Sequence, residues 1–144
     1  MPSNKYEATT FLNVDLDIYA RSDLQPLVAA LGQKIFVLHA GRRGRAHSAH
    51  LELARSPKSA NAAIRIFAAL IRGLPKSERR LWDTATARDF NIGVQAAMQP
   101  HSYEIRLAHE TVKTVSALKA RIVVTVYGAE LASTAKTRVR KNRE

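Results

Sequence analysis

The chain has 144 residues, 46% hydrophobic and 24% charged, with no cysteine and a formal net charge of +11 at pH 7. This length and composition suit one globular domain with a buried core. They exclude disulfides, thiolate metal sites and cysteine catalysis, and no apolar run approaches the roughly 20 residues that span a bilayer.

Residues 1 to 10 form a polar segment without the apolar centre of a secretory signal. A cytoplasmic protein that does not engage a membrane is therefore expected. Residues 131 to 144 form a basic tail with Lys136, Arg138, Arg140, Lys141 and Arg143 against Glu144. Of the 23 basic and 12 acidic residues in the whole chain, the tail holds five and one. The body keeps 18 and 11, a net of +7, so the positive field is not confined to the tail. Such a field attracts polyanions. The single domain is expected over 11 to 130.

The domain opens on a strand. Leu12, Val14, Leu16 and Ile18 alternate with Asn13, Asp15, Asp17 and Tyr19, the period-two pattern of a strand with one buried and one wet face. A short helix follows at about 23 to 31. Ser22 and Gln25 have capping-box spacing, Pro26 sits in the first turn, and Gly32 supplies the stop. Ile35 to Leu38 is apolar throughout, which predicts a central strand covered on both faces. Gly41-Arg-Arg-Gly-Arg45 is a hairpin turn with three arginines. His47 to Leu53 returns.

Residues 60 to 72 carry the longest helical pattern, closed by Gly73 and Pro75. A second short helix, 78 to 86, is expected with Ser77 as its cap and Trp82 at the edge of the core. Alternation then predicts strands at Phe90 to Ala96 and at Tyr103 to Leu107, a helix from Thr111 to Ala120, and an apolar central strand from Arg121 to Tyr127. The expected order is β-α-β-β-α-α-β-β-α-β. It makes an α+β protein of ferredoxin-like split βαβ units, one mixed sheet with helices packed on one face. Val28 to Gly41 also aligns without gaps on Val115 to Gly128, with identities at 28/115, 30/117, 31/118, 35/122, 37/124 and 41/128. This is either an internal duplication or the common likeness of helix–strand units.

If helices cover one face, the other face collects the polar halves of the strands. It should hold Asn13, Asp15, Asp17, Tyr19, Ser48, His50, Glu52, Asn91, Gln95, Glu104, Arg106, Thr125 and Tyr127. Three readings compete. One is a solvated face with no ligand. The second is a surface for a protein partner or a second copy of the chain, with Asp15, Asp17, Tyr19, His50, Glu52, Glu104, Arg106 and Tyr127 as its contacts and the tyrosines and Arg106 as anchors. The third is an enzyme's catalytic or metal site on the carboxylates Asp15, Asp17, Glu52 and Glu104, with His50 as a further candidate, since Asp15 and Asp17 lie about 7 Å apart on one face and could hold a hard cation or act as an acid–base pair. No metal-ligand, phosphate-loop or nucleophile motif supports that third reading. No cofactor, metal or catalytic set is expected, and His39, His47, His50, His101 and His109 show no ligand spacing.

Nucleic acid is the further candidate partner. The acidic first strand would repel phosphates, and no aromatic RNA-recognition signature is present. Contact would therefore use Arg42, Arg43 and Arg45 at the hairpin and Lys136, Arg138, Arg140, Lys141 and Arg143 in the tail. It would be phosphate-directed, non-specific and salt-sensitive; ribosome association is one form of it.

The runs Asn13-Val-Asp-Leu-Asp-Ile18, Leu81-Trp-Asp83, Phe90-Asn-Ile-Gly93 and Ile122-Val-Val-Thr-Val-Tyr127 resemble a group of small, uncharacterised bacterial proteins sharing a domain of unknown function. The resemblance covers residues 11 to 128. It implies one α+β domain and a bacterial origin, and it implies no activity. On these grounds the leading expectation is a non-catalytic interaction protein, regulatory or immunity-type, that uses its open sheet face.

Overall fold

The alternating first strand is the centre of the structure. In the computed structural model, which describes residues 8 to 129, β1 (Thr10–Ala20) has neighbours on both sides. The other strands are β2 (Ile35–Arg43), β3 (Ala46–Leu53), β4 (Ala87–Gln95) and β5 (Arg121–Tyr127). They form one sheet in the order β2-β3-β1-β4-β5. All neighbours are antiparallel except β4 and β5, which are parallel. The helices are α1 (Gln25–Leu31), α2 (Ala60–Arg72), α3 (Lys76–Asp83) and α4 (His109–Ala117). The protein is thus α+β, with a mixed five-stranded sheet and four helices among the described residues.

Burial follows the strand period. Val14, Leu16, Ile18 and Ala20 are buried, whereas Asn13, Asp15, Asp17 and Tyr19 are half-buried on the other face. Leu51, Phe90 and Ile92 join the buried layer from the neighbouring strands, and Leu27, Ile64, Phe67, Ile71 and Trp82 meet them from the helices. Phe67 of α2 packs against Phe90 with ring centroids 6.0 Å apart. Cutting Phe67 back to Ala would cost about 3–5 kcal/mol, because its site cannot collapse onto the lost volume. Ser59 caps α2 by accepting from the Ala62 amide at 3.1 Å, which typically contributes about 1 kcal/mol.

Trp82 is fully buried and donates its indole N–H to the Leu118 carbonyl at 3.2 Å. Beside it lies Arg88, a buried cation on the helix side of β4. Its guanidinium donates to the carbonyls of Trp82, Ala85 and Lys119, which lie at or just past the C-terminal ends of α3 and α4. A cation there completes orphan carbonyls and meets the negative end of each helix dipole.

Several expectations are corrected. The stretch Tyr103 to Leu107 is not a strand. It is an irregular connection on the helix side, with Ile105 and Leu107 packed against the core and its polar groups served by side chains. Asn61 of α2 donates to the Arg106 carbonyl at 2.8 Å and accepts from the Ala108 amide at 3.0 Å, while the Tyr103 hydroxyl accepts from the Phe11 amide at 2.9 Å. The observed order is therefore β-α-β-β-α-α-β-α-β.

The apolar runs β2 and β5 are not central either. They are the two edges, with Phe36, Val37 and Leu38 about half exposed and Val124 and Val126 more than half. An unbroken apolar run marks a buried strand in parallel sheets, but this sheet is mostly antiparallel and its order follows from the crossovers. The two helix–strand stretches that align in sequence do take like positions. Each is a helix with a buried valine and leucine (Val28 and Leu31, Val115 and Leu118) leading into an edge strand.

Two caps also differ. Asp23, not Ser22, accepts from the Gln25 amide at the start of α1, and α3 starts on Pro75 with no side-chain cap from Ser77. At the hairpin, the strands run on to Arg43 and Ala46, so only Gly44 and Arg45 turn. Gly44 has φ +62°, the left-handed conformation that a two-residue hairpin asks of its first residue.

Candidate functional site

The open face is built from every second residue of the five strands. One line of side chains crosses it through His39, His50, Asp17, Asp89 and Arg121, each paired in register with the next. A parallel line runs through Phe36, Glu52, Asp15, Asn91 and Val123, and a third through Gly41, Ser48, Tyr19 and Ala87. Thr125, Gln95 and Tyr127 lie toward the far end of β4 and β5.

The acids of this face are engaged by neighbouring side chains. His50 Nδ1 is hydrogen-bonded to Asp17 Oδ1 at 2.8 Å. Asp89 accepts two bonds from Arg121, at 2.6 and 2.9 Å. Asn13 donates Nδ2 to Asp15 Oδ1 at 3.0 Å and reaches Glu52 Oε2 at 3.4 Å. Its position depends on Gly93 opposite, where a Cβ would come within 2.9 Å of Asn13 Oδ1. Partial burial, with Asp17 and Glu52 nearby, pushes the Asp15 carboxyl up to about 6. Burial and the carboxylates of Asp17 and Asp89 push the Tyr19 phenol up as well.

The hairpin end differs. There, Tyr19, Arg21, His39, Arg43, Arg45 and Thr86 line a hollow of about 700 Å³, with Arg42 and Ser48 also on its wall. Among the described residues, none of Arg21, Arg42, Arg43 and Arg45 has a carboxylate within 4 Å. Arg42 donates Nε to the Gly44 carbonyl, which ties the tip together. Tyr19 meets His50 edge-on with centroids 5.7 Å apart, and His50 meets His39 at 5.8 Å. Three rings thus run from the hollow onto the sheet.

The structure brings together Asp15, Asp17, Tyr19, His50 and Glu52, and places Tyr127 on the same face at its far corner. Glu104 and Arg106 are not on this face. They lie on the irregular helix-side connection, exposed and paired with each other at 2.6 Å, because their segment never joins the sheet. The tail residues Lys136, Arg138, Arg140, Lys141 and Arg143 lie outside the described residues. Sequence reading missed Asp89, Arg21 and His39 as parts of this surface. Asp89 was hidden because β4 begins earlier than its apolar alternation, and His39 because a bulge between Val37 and His39 reverses the side-chain alternation.

Among the described residues, no three His, Asp or Glu side chains are placed to hold a metal ion, and no helix is long and apolar enough to cross a membrane. On the helix side, a second concavity of about 410 Å³ opens between β5 and the 103–107 connection, walled by apolar residues such as Ile92, Ile105 and Val124. The chain matches no family model, no curated protein and no solved structure in comparisons with known proteins.

Proposed function

We propose that this protein is a non-catalytic binding module that takes a polyanion, foremost a nucleic acid, at the hairpin end of its open sheet face. The observation that carries this is the convergence of Arg21, Arg42, Arg43 and Arg45 on one hollow, without carboxylate partners among the described residues. Unpaired guanidinium groups fit phosphate oxygens in bidentate fashion. The first-strand acids that argue against nucleic acid on the sheet face are hydrogen-bonded within it, Asp17 to His50 and Asp15 to Asn13. Fluorescence anisotropy with a labelled oligonucleotide tests the reading. Affinity should fall steeply with salt, and removal of residues 131 to 144 should weaken it further without abolishing it. Binding indifferent to salt would sink the proposal.

A protein partner is the second reading. The exposed apolar edges at Phe36 to Leu38 and Val124 to Val126 favour it, since such edges pair readily with another strand. The carboxylate-site reading is weakened by the loss of Glu104 from the face. We also infer a ferredoxin-like arrangement for residues 11 to 97. The order β2-β3-β1-β4, with β1 and β2 both antiparallel to the strand between them, supports it, and β5 is an addition at one edge.

A further inference from the structure

We propose that the hairpin-end hollow receives an unpaired nucleotide, with its base against Tyr19 and His39 and its flanking phosphates on the surrounding arginines. The inference rests on the polyanion reading and names its substrate class as single-stranded nucleic acid. Charge alone would select any polyanion, and the hollow offers more than charge. Its floor joins an aromatic line, since Tyr19 and His39 both open into it and His50 bridges their rings at 5.7 and 5.8 Å. The hollow is open to solvent, and its volume of about 700 Å³ is in the range of pockets that take small ligands. Ser48 and Thr86 also line its wall.

A duplex presents phosphates outward and keeps its bases stacked inside, so it could reach the arginines at the rim but not the rings. An unpaired strand can turn one base inward while its backbone follows the rim. Stacking on an aromatic ring tolerates any base, and each base so held is worth roughly five- to a hundred-fold in affinity. The basic rim supplies the salt-dependent part and the rings the salt-resistant part.

The test compares three probes on the full chain: a labelled single-stranded RNA, a duplex of the same length, and inorganic polyphosphate. The single strand should retain binding at a salt concentration that releases polyphosphate. Tyr19→Ala should weaken the single strand about tenfold and leave polyphosphate binding and the salt slope unchanged. His39→Ala, at an exposed edge position where folding is not at risk, should weaken it several-fold, and Tyr19→Phe should restore near-normal affinity. If polyphosphate binds but the duplex matches the single strand, or if Tyr19→Ala and His39→Ala leave single-strand affinity intact with an unchanged melting temperature, the nucleotide inference is overturned while the polyanion reading stands. If polyphosphate fails to bind, both are overturned.

Discussion

The middle of the open face and its hairpin end are both rich in charge, and they use it in opposite ways. In the middle, Asp17, Asp89, Asp15 and Glu52 are drawn into a network with His50, Arg121 and Asn13. That charge is spent inside the fold, where it aligns neighbouring strands. At the hairpin end, Arg43 and Arg45 are exposed and meet no carboxylate among the described residues. The contrast separates structural charge from charge left available to a ligand. It also explains how one face can carry acidic side chains and still have a basic end.

The comparison can be broken most severely at the basic end. Arg43→Glu combined with Arg45→Glu should lower polyanion affinity on the order of a hundredfold at low salt and reduce the salt slope by about two, read by anisotropy titrations. The melting temperature should hardly move, because neither side chain packs against the core. An unchanged slope would place the phosphate contacts elsewhere.

Disturbing the middle should act on stability instead. Asp89→Asn removes the charge and one of the two acceptor oxygens of a bidentate pair and leaves Arg121 without its carboxylate. A lower midpoint is expected in urea unfolding, with polyanion affinity unchanged or slightly raised. A variant as stable as the parent would mean that this pair contributes nothing across β4 and β5.

Asp15→Asn should do the reverse. The folded-state pKa of Asp15 is raised to about 6 from 3.8, so the folded protein binds this proton more tightly than the unfolded chain does. The ionised carboxylate therefore costs stability, fully above about pH 6, and the cost disappears as pH falls toward 4. At this half-exposed site, screened by solvent, the gain on substitution should be about 1 kcal/mol at pH 7. It should shrink to nothing near pH 4, as thermal melts across that range would show. A gain that persists at pH 4 would point to packing rather than charge.

The smallest effect is expected from Glu52→Gln. Glu52 lies four residues from Ser48, about 13 Å along β3, which exceeds the screening length of about 8 Å at physiological salt. Its loss should change polyanion affinity less than twofold. A large gain would show that the two regions are electrostatically coupled after all.

Much of the local structure was legible in the chain. The period-two pattern of β1 identified which side chains face water, and all of Asn13, Asp15, Asp17 and Tyr19 lie where that pattern puts them. The helix from Ala60 to Arg72 carries its own stop in Gly73, and its bounds follow. The irregular run from Tyr103 to Leu107 was misread because alternation records only that every second residue is buried. Whether the burying surface is a sheet partner or a helix layer depends on residues such as Asn61, distant in sequence, that satisfy the backbone.

The candidate site divides along the same line. The arginines of the hairpin and the acids of β1 could be named from sequence because turn chemistry and strand period act within a few residues. That the acids would be engaged by Arg121 and His50, and that Arg21 would join the hairpin around one hollow, depended on strands more than 20 positions apart coming into register. Local spacing determines which way a side chain points, because backbone geometry repeats every residue or two. Which charges find partners, and which are left facing solvent, is decided only when the crossovers set the order of the strands. Here that order put the two most apolar strands at the edges and the alternating one in the centre.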